Sequence, residues 1–138
     1  MGRASVIISV DTNVLVRSVV GDDKRQAAIA NDALKNASAV AVAIPALCEF
    51  VWVLRKVYDV SPADIAAALR ALLNTANLLV NRPAVEAGLA ILEAGGDFAD
   101  GAIAYEGNWL GGETFVSFDS KAVSLLKEQG QSATLLAA

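Results

Sequence analysis

The feature that most constrains the fold is an apolar, mostly β-branched run that ends on a carboxylate. Residues 6–10 (VIISV) do not alternate between apolar and polar side chains, so they predict a short strand buried on both faces. Asp11 follows where this strand would leave its sheet, and Asn13 adds an amide. Ligands of open parallel α/β sheets bind outside the carboxyl ends of the strands, which makes Asp11 a candidate site residue. Alternatively, Asp11 or Thr12 only caps the following helix.

Four further short apolar runs alternate with helical patterns along the rest of the chain. We expect these strands at residues 40–44, 77–80, 114–118 and 133–136. Helices are expected at residues 14–20, 24–35, 46–58 and 62–73, from 83 to the glycines at 95–96, from 97 onward, and at 119–129. This alternation predicts a three-layer α/β/α fold, in which helices cover both faces of a parallel sheet. The length of 138 residues suggests one domain over residues 1–138.

Composition places the chain among globular proteins. It is 55% hydrophobic and 19% charged, which excludes a disordered tail. Mean hydropathy is high at +0.48, yet no apolar run reaches the roughly 18 residues of a membrane span. The surplus apolar surface therefore predicts an oligomer or partner interface. With one cysteine, Cys48, and no export signal in the sequence, we expect a cytoplasmic protein whose thiol is a small core residue.

The chain contains no histidine, and its net charge is −4. Histidine acid–base pairs, Ser-His triads and imidazole metal ligands are therefore excluded. The acidic balance argues against a nucleic-acid binder that relies on a basic surface, but it is compatible with an enzyme that holds nucleic acid through metal ions. Carboxylates must carry any catalysis.

Four carboxylates occupy positions that can share one edge of a parallel sheet. Asp11 and Asp119 follow predicted strands, whereas Glu49 and Asp100 lie in early turns of predicted helices. Gathered together, these side chains would raise one another's pKa unless divalent cations neutralised them. Ligands that offer only oxygen favour Mg²⁺ or Mn²⁺. A metal-dependent phosphodiesterase is thus a more natural inference than acyl or glycosyl chemistry.

Each of these residues also has a purely structural interpretation. Glu49 is the only charged residue within 44–54 and can be a solvated helix position. Asp97 can cap a helix with Asp100 as its capping-box partner, and Asp119 can cap the last predicted helix. Trp52 is expected in the core or at an interface. Four basic residues near the motifs are either solvated charges or phosphate contacts; they are Arg17, Arg55, Lys56 and Lys121.

Several short motifs, taken in order, resemble a known family. They are residues 10–15 (VDTNVL), 44–45 (IP) with Glu49 and 52–54 (WVL), 97–100 (DFAD) with 102–104 (AIA), and 117–119 (SFD) with Lys121. The chain in this respect resembles PIN-domain ribonucleases of the VapC toxin type, from bacterial or archaeal toxin–antitoxin pairs. The motifs cover essentially the whole chain.

The resemblance implies a five-stranded parallel sheet and a site for Mg²⁺ or Mn²⁺ bound by Asp11, Glu49, Asp100 and Asp119. It also implies that Asp97 is an accessory acid, that a metal-activated water hydrolyses RNA, and that the protein forms a homodimer. A small VapB-like antitoxin would inhibit the enzyme by laying an apolar segment into a groove, often presenting an arginine to the acidic site.

The chain departs from the family pattern at two positions. Ser117 stands where threonine is common and keeps a hydroxyl for an accessory hydrogen bond. Gly101 stands where alanine is usual, which weakens the helix start by up to about 1 kcal/mol and is expected to loosen the placement of Asp100.

Three competing interpretations remain. A receiver-like signalling domain would need adjacent acids after the first strand and a lysine after the last, which this chain lacks. A catalytically silent PIN-like scaffold would act through protein contacts alone. A metal-dependent DNA or flap nuclease would generally need larger additions for duplex binding than 138 residues allow.

Overall fold

The computed structural model describes residues 6–137, and the chain divides into two compact units at residue 81. The first unit contains strands β1 (Ile7–Ser9), β2 (Ala39–Ala41) and β3 (Leu78–Leu79), with helices α1 (Thr12–Val20), α2 (Lys24–Asn36), α3 (Ile44–Lys56) and α4 (Pro62–Leu73). The second unit contains helices α5 (Arg82–Glu93), α6 (Phe98–Trp109) and α7 (Ser120–Glu128), with strands β4 (Phe115–Ser117) and β5 (Ala133–Leu135). The predicted mixed α/β fold is confirmed.

All strand pairings among the described residues are parallel. In the first unit the order is β1-β2-β3, with Ile8 opposite Val40 and Val40 opposite Leu78. In the second unit β4 pairs with β5, so that Val116 lies opposite Thr134. The five strands and their parallel direction are as predicted, with three paired strands in the first unit and two in the second. The composition of a strand predicts its location and does not specify which strand lies beside it.

Local signals fix the helix ends. Gly21 adopts a φ of 69° and ends α1, and the Asp23 carboxylate then accepts a hydrogen bond from the Gln26 N–H at 3.0 Å to begin α2. Pro45 occupies the first turn of α3, where its missing N–H needs no partner. Helix α3 therefore begins at Ile44, two residues earlier than predicted, and β2 ends at Ala41. None of the helices within residues 6–137 is both long and apolar enough to cross a membrane.

Buried aliphatic side chains hold each unit together. The first unit buries Leu15, Leu47, Leu54, Ile65 and Leu69, each at most 2% exposed. In the second unit a cluster forms around Leu126, with Phe115 packed against it. Burial of this kind is the main favourable contribution to folding.

The expectation that the first strand is buried on both faces is wrong, as is the core alternative for Trp52, and Cys48, expected in the core, is only half-buried. Ile7 is 63% exposed, and no residue of β1 is fully buried. Trp52 is 58% exposed and does not belong to the core. It lies on the outer side of α3, whose buried face is formed by Leu47, Phe50 and Leu54. The alternative expectation for Trp52, an interface position, stays a prediction.

Glycines allow α5 and α6 to pack closely. The Phe98 ring is fully buried and occupies the space that a Cβ at Gly88 would need, at 2.5 Å. A Cβ at Gly101 would collide with the carbonyl oxygen of Ala87 on α5. The glycine at position 101 therefore has a packing role at the start of α6, next to Asp100.

Candidate active site

Asp11 caps α1. One of its carboxylate oxygens, Oδ1, accepts a hydrogen bond from the Thr12 N–H at 2.7 Å, which confirms the capping interpretation. Within residues 6–137 no hydrogen bond reaches its other oxygen, Oδ2. Capping therefore fixes the carboxylate and leaves one oxygen for a ligand, so the structural and the functional roles are compatible.

Thr12 ties the beginning of α1 to the first turn of α3. Its side chain is buried, at 5% exposure, and the hydroxyl donates to the Ala46 carbonyl at 3.2 Å. Glu49 follows Ala46 by three residues and so lies on the same side of α3. This tether brings Asp11 and Glu49 to one pocket.

The pocket lies between α1 and α3 and has a volume of about 400 Å³. Asn13 and Val16 line it from α1, whereas Glu49 and Val53, one turn apart, line it from α3. Glu49 is exposed, as its solvated interpretation requires, and its position in the pocket explains a charge on an otherwise apolar helix. Asp11, Asn13 and Glu49 thus share one cavity.

Arg17 also lines this pocket, held by two residues that the sequence analysis did not single out. Its Nη1 donates to Asp22 Oδ1 at 3.1 Å and to the Tyr58 hydroxyl oxygen at 3.5 Å. The Tyr58 hydroxyl in turn donates to Asp22 Oδ2 at 3.2 Å. The spacing of Glu49 and Val53, continued by four residues, leads to Val57, which also lines the pocket, whereas Tyr58 lies beyond the end of α3 and had no such signal. Asp22 gave no comparable signal, because its contact depends on the turn at residue 21.

A second group of acids lies in the second unit, at the beginnings of α6 and α7. Asp97 caps α6, where its Oδ1 accepts from the Ala99 N–H at 3.4 Å. Asp119 caps α7, where its Oδ1 accepts from the N–H groups of Lys121 at 3.0 Å and Ala122 at 3.1 Å. Both capping interpretations are confirmed, and in each case the described bonds use a single oxygen.

Asp100 is the least compensated of these carboxylates. Burial raises its pKa above the usual 3.8, and the charges of Asp97 and Asp119 raise it further. Its side chain accepts no hydrogen bond from any residue in the described range, so the expected capping box with Asp97 is not formed. A cation beside Asp100 would remove the unfavourable interaction.

Ser117 supports the turn that carries Asp119. Its hydroxyl oxygen accepts a hydrogen bond from the Asp119 N–H at 2.9 Å, so the expected accessory bond goes to the backbone rather than to the carboxylate. The basic residues Lys56 and Lys121 are exposed, and Arg55 is half-buried. Of the four basic candidates, only Arg17 lines the pocket that holds Asp11 and Glu49.

The donor chemistry fits a hard divalent cation. Asp11 and Glu49 line one pocket, and Asp97 and Asp119 are near enough to Asp100 for their charges to act on it. Carboxylate oxygens are the ligands that Mg²⁺ and Mn²⁺ prefer. Within residues 6–137 no three acids lie close enough together to hold one ion by themselves. The assignment of Asp11, Glu49, Asp100 and Asp119 to a metal centre stays a prediction.

Comparison with known proteins identifies the family. No curated protein sequence matches the chain significantly. The family model described as the PIN domain matches residues 8–122, a range that includes every candidate carboxylate. PIN domains are typically nucleases that use divalent metal ions. Since the match covers most of the 138 residues, the chain belongs to the PIN-domain family.

Proposed function

We propose that this PIN domain is an endoribonuclease dependent on Mg²⁺ or Mn²⁺, the toxin of a toxin–antitoxin pair, acting in the cytoplasm. The observation that carries the proposal is the PIN-domain match over residues 8–122, which spans all the candidate carboxylates, and the effect of burial, Asp97 and Asp119 in raising the pKa of Asp100 supports it. Such an arrangement is unfavourable for stability and favourable for a divalent ion. The resemblance to the VapC type supports RNA as the substrate.

The metal ligands in this proposal are Asp11, Glu49, Asp100 and Asp119, with Asp97 as an accessory acid. A bound ion supplies a more acidic water and a polarised phosphoryl oxygen. The chain itself fixes the ligands before the ion arrives, because backbone N–H groups hold one oxygen each of Asp11 and Asp119. Ligands held in this way lose little conformational freedom on binding.

The direct test compares purified protein on RNA and DNA strands of one sequence. We expect cleavage of RNA with Mg²⁺ or Mn²⁺, no cleavage in a chelator, and little cleavage of DNA. Preference for DNA would favour the alternative of a DNA or flap nuclease. No cleavage of either strand with either ion would favour the silent scaffold.

The proposed homodimer is supported by exposed apolar side chains at the end of α6. Trp109 is 77% exposed and Leu110 is 80% exposed. Large adjacent apolar side chains of this kind are typical of interfaces rather than of free surface. We place them in the contact between two copies of the chain.

Trp109→Glu is therefore expected to convert a dimer of 14.3 kDa chains into a monomer. A buried unpaired carboxylate at an interface is strongly unfavourable. Light scattering after size exclusion measures the mass, and Ile29→Glu, which changes another exposed apolar side chain on α2, serves as the matched control. If Trp109→Glu remains dimeric, the interface does not include Trp109. If wild type is monomeric, the proposed homodimer is wrong.

A groove in the first unit supports the proposed antitoxin. It has a volume of about 780 Å³ and is lined mostly by apolar side chains between α2 and α4, among them Leu34, Ala68 and Leu72. An apolar peptide segment is the kind of ligand that such a groove takes. The net charge of −4 favours a partner with basic residues.

A further inference from the structure

The pocket between α1 and α3 is lined by charged side chains of both signs. Asp11 and Glu49 provide carboxylates, and Arg17 is the one basic residue among those that line the cavity. Arg17 follows Asp11 by six residues, which corresponds to about 9 Å along the axis of α1. That distance exceeds the size of a single phosphate group.

The guanidinium of Arg17 is held in place with one edge available. Its described hydrogen bonds to Asp22 and Tyr58 both use Nη1, and no described bond uses Nη2 or Nε. The edge formed by Nε and Nη2 is a planar fork that matches two phosphate oxygens. Asp22 and Tyr58 bond to each other as well, which restricts the arginine to this position.

A role in stability alone does not account for this arrangement. The Arg17 and Asp22 side chains are 36% and 46% exposed, and ion pairs at such exposure contribute little to the free energy of unfolding. An arginine held on the wall of a polar pocket is, by contrast, what recognition of a phosphate backbone requires.

We propose that Arg17 binds a phosphate of the RNA strand next to the one that is cleaved, with Asp22 and Tyr58 as positioning residues. This inference rests on the proposed ribonuclease function and names a substrate contact of the same pocket. The carboxylates of the pocket repel an RNA strand, and the whole chain is acidic, with a net charge of −4. Arg17 is the one basic side chain that lines the pocket, and its ion pair with Asp22 leaves the Nε–Nη2 edge for a phosphate without a metal ion.

The first test compares Arg17→Ala with Arg25→Ala, which removes the same charge from an exposed position on α2. With unstructured RNA and saturating Mn²⁺, Arg17→Ala is expected to raise KM about tenfold and to change kcat by less than about twofold. For Arg17→Ala, the negative slope of the logarithm of RNA affinity against the logarithm of salt concentration should become shallower by about 0.7, as for the loss of one phosphate contact. Arg17→Lys, which keeps the charge and loses the fork, should lie between wild type and Arg17→Ala. Tyr58→Phe and Asp22→Asn should raise KM by less than Arg17→Ala does.

The second test locates the phosphate itself. In RNA oligonucleotides, single phosphates near the cleavage site are replaced in turn by neutral methylphosphonates. At one position other than the cleaved one, the methylphosphonate should raise the KM of wild type about tenfold. The same replacement should leave the KM of Arg17→Ala unchanged, because that variant has already lost the contact between Arg17 and the phosphate. An equal effect of every position on both proteins would overturn the assignment.

The outcomes separate this inference from the function on which it rests. If wild type cleaves RNA and Arg17→Ala behaves like Arg25→Ala, the phosphate contact is wrong and the ribonuclease stands. If wild type does not cleave RNA with either ion, both proposals are overturned together. Thermal unfolding of Arg17→Ala and Arg17→Lys shows whether either change alters folding.

Discussion

Replacing Asp100 with asparagine is expected to lower RNA cleavage about a thousandfold and to raise the stability of the metal-free protein. The amide keeps the shape of the carboxylate but binds a divalent ion weakly. A thousandfold loss corresponds to about 4 kcal/mol of transition-state stabilisation, a reasonable contribution for a metal ligand. The gain in stability has a separate cause, since burial and the charges of Asp97 and Asp119 make the ionised form of Asp100 unfavourable.

The stability that Asp100→Asn gains over wild type should increase as the pH rises. The pKa of Asp100 in the folded protein is raised above its ordinary value of 3.8, so between these two values the folded state binds more protons than the unfolded state. Wild-type stability therefore falls as the pH rises through this interval, and the loss is complete above the raised pKa. Asp100→Asn should exceed wild type in melting temperature at neutral pH, and the difference should vanish below pH 3.8.

Thermal unfolding in a chelator measures this difference, with Asp32→Asn on the exposed side of α2 as the control. Addition of Mg²⁺ should raise the melting temperature of wild type more than that of Asp100→Asn, because the ion binds the folded state. A less stable Asp100→Asn protein at neutral pH, or one that cleaves RNA as wild type does, would contradict the role assigned to this residue.

The second large effect is expected at the contact between α5 and α6. Gly101→Ala should lower the free energy of unfolding by about 1–3 kcal/mol, because the added Cβ collides with the Ala87 carbonyl oxygen and backbone atoms cannot easily move away. Alanine is intrinsically the better helix former, so helix propensity alone predicts the opposite sign. Urea unfolding measures this change in the free energy of unfolding, provided that wild type and variant have the same m-value.

Gly107→Ala is the matched control for this prediction. Gly107 belongs to the same helix, α6, and a Cβ there would meet nothing within 4 Å. The same substitution should therefore stabilise the protein by up to about 1 kcal/mol. Equal effects at both positions would show that α5 and α6 are not in the close contact described here.

Sequence patterns predicted the elements well because their signals are local. The apolar runs located all five strands and the helical patterns located the helices, of which α2 and α4 begin after the capping residues Asp23 and Ser61. The capping and ligand interpretations of Asp11 and Asp119 proved compatible, because capping uses one oxygen of each carboxylate. Their position after β1 and β4 is what the apolar runs indicated.

Features that depend on distant residues could not be predicted in this way. The exposure of Ile7 depends on what packs over β1, which the composition of the strand does not specify. The partners of Arg17 follow from the packing of α3 beside α1, which brings Tyr58 to the turn after α1. The packing role of Gly101 likewise depends on a helix earlier in the chain.

Asp11→Asn provides the most direct test of the central claim, that carboxylate chemistry makes this PIN domain a toxic ribonuclease. Asparagine also caps helices, so the variant keeps the Thr12 N–H bond and loses only the charge. Both proteins are expressed in a bacterial host, growth is followed, and new RNA 5′ ends are mapped. Wild type alone should arrest growth and produce ends at defined sites. Equal arrest by both proteins, or unchanged RNA in cells arrested by wild type, would contradict the account.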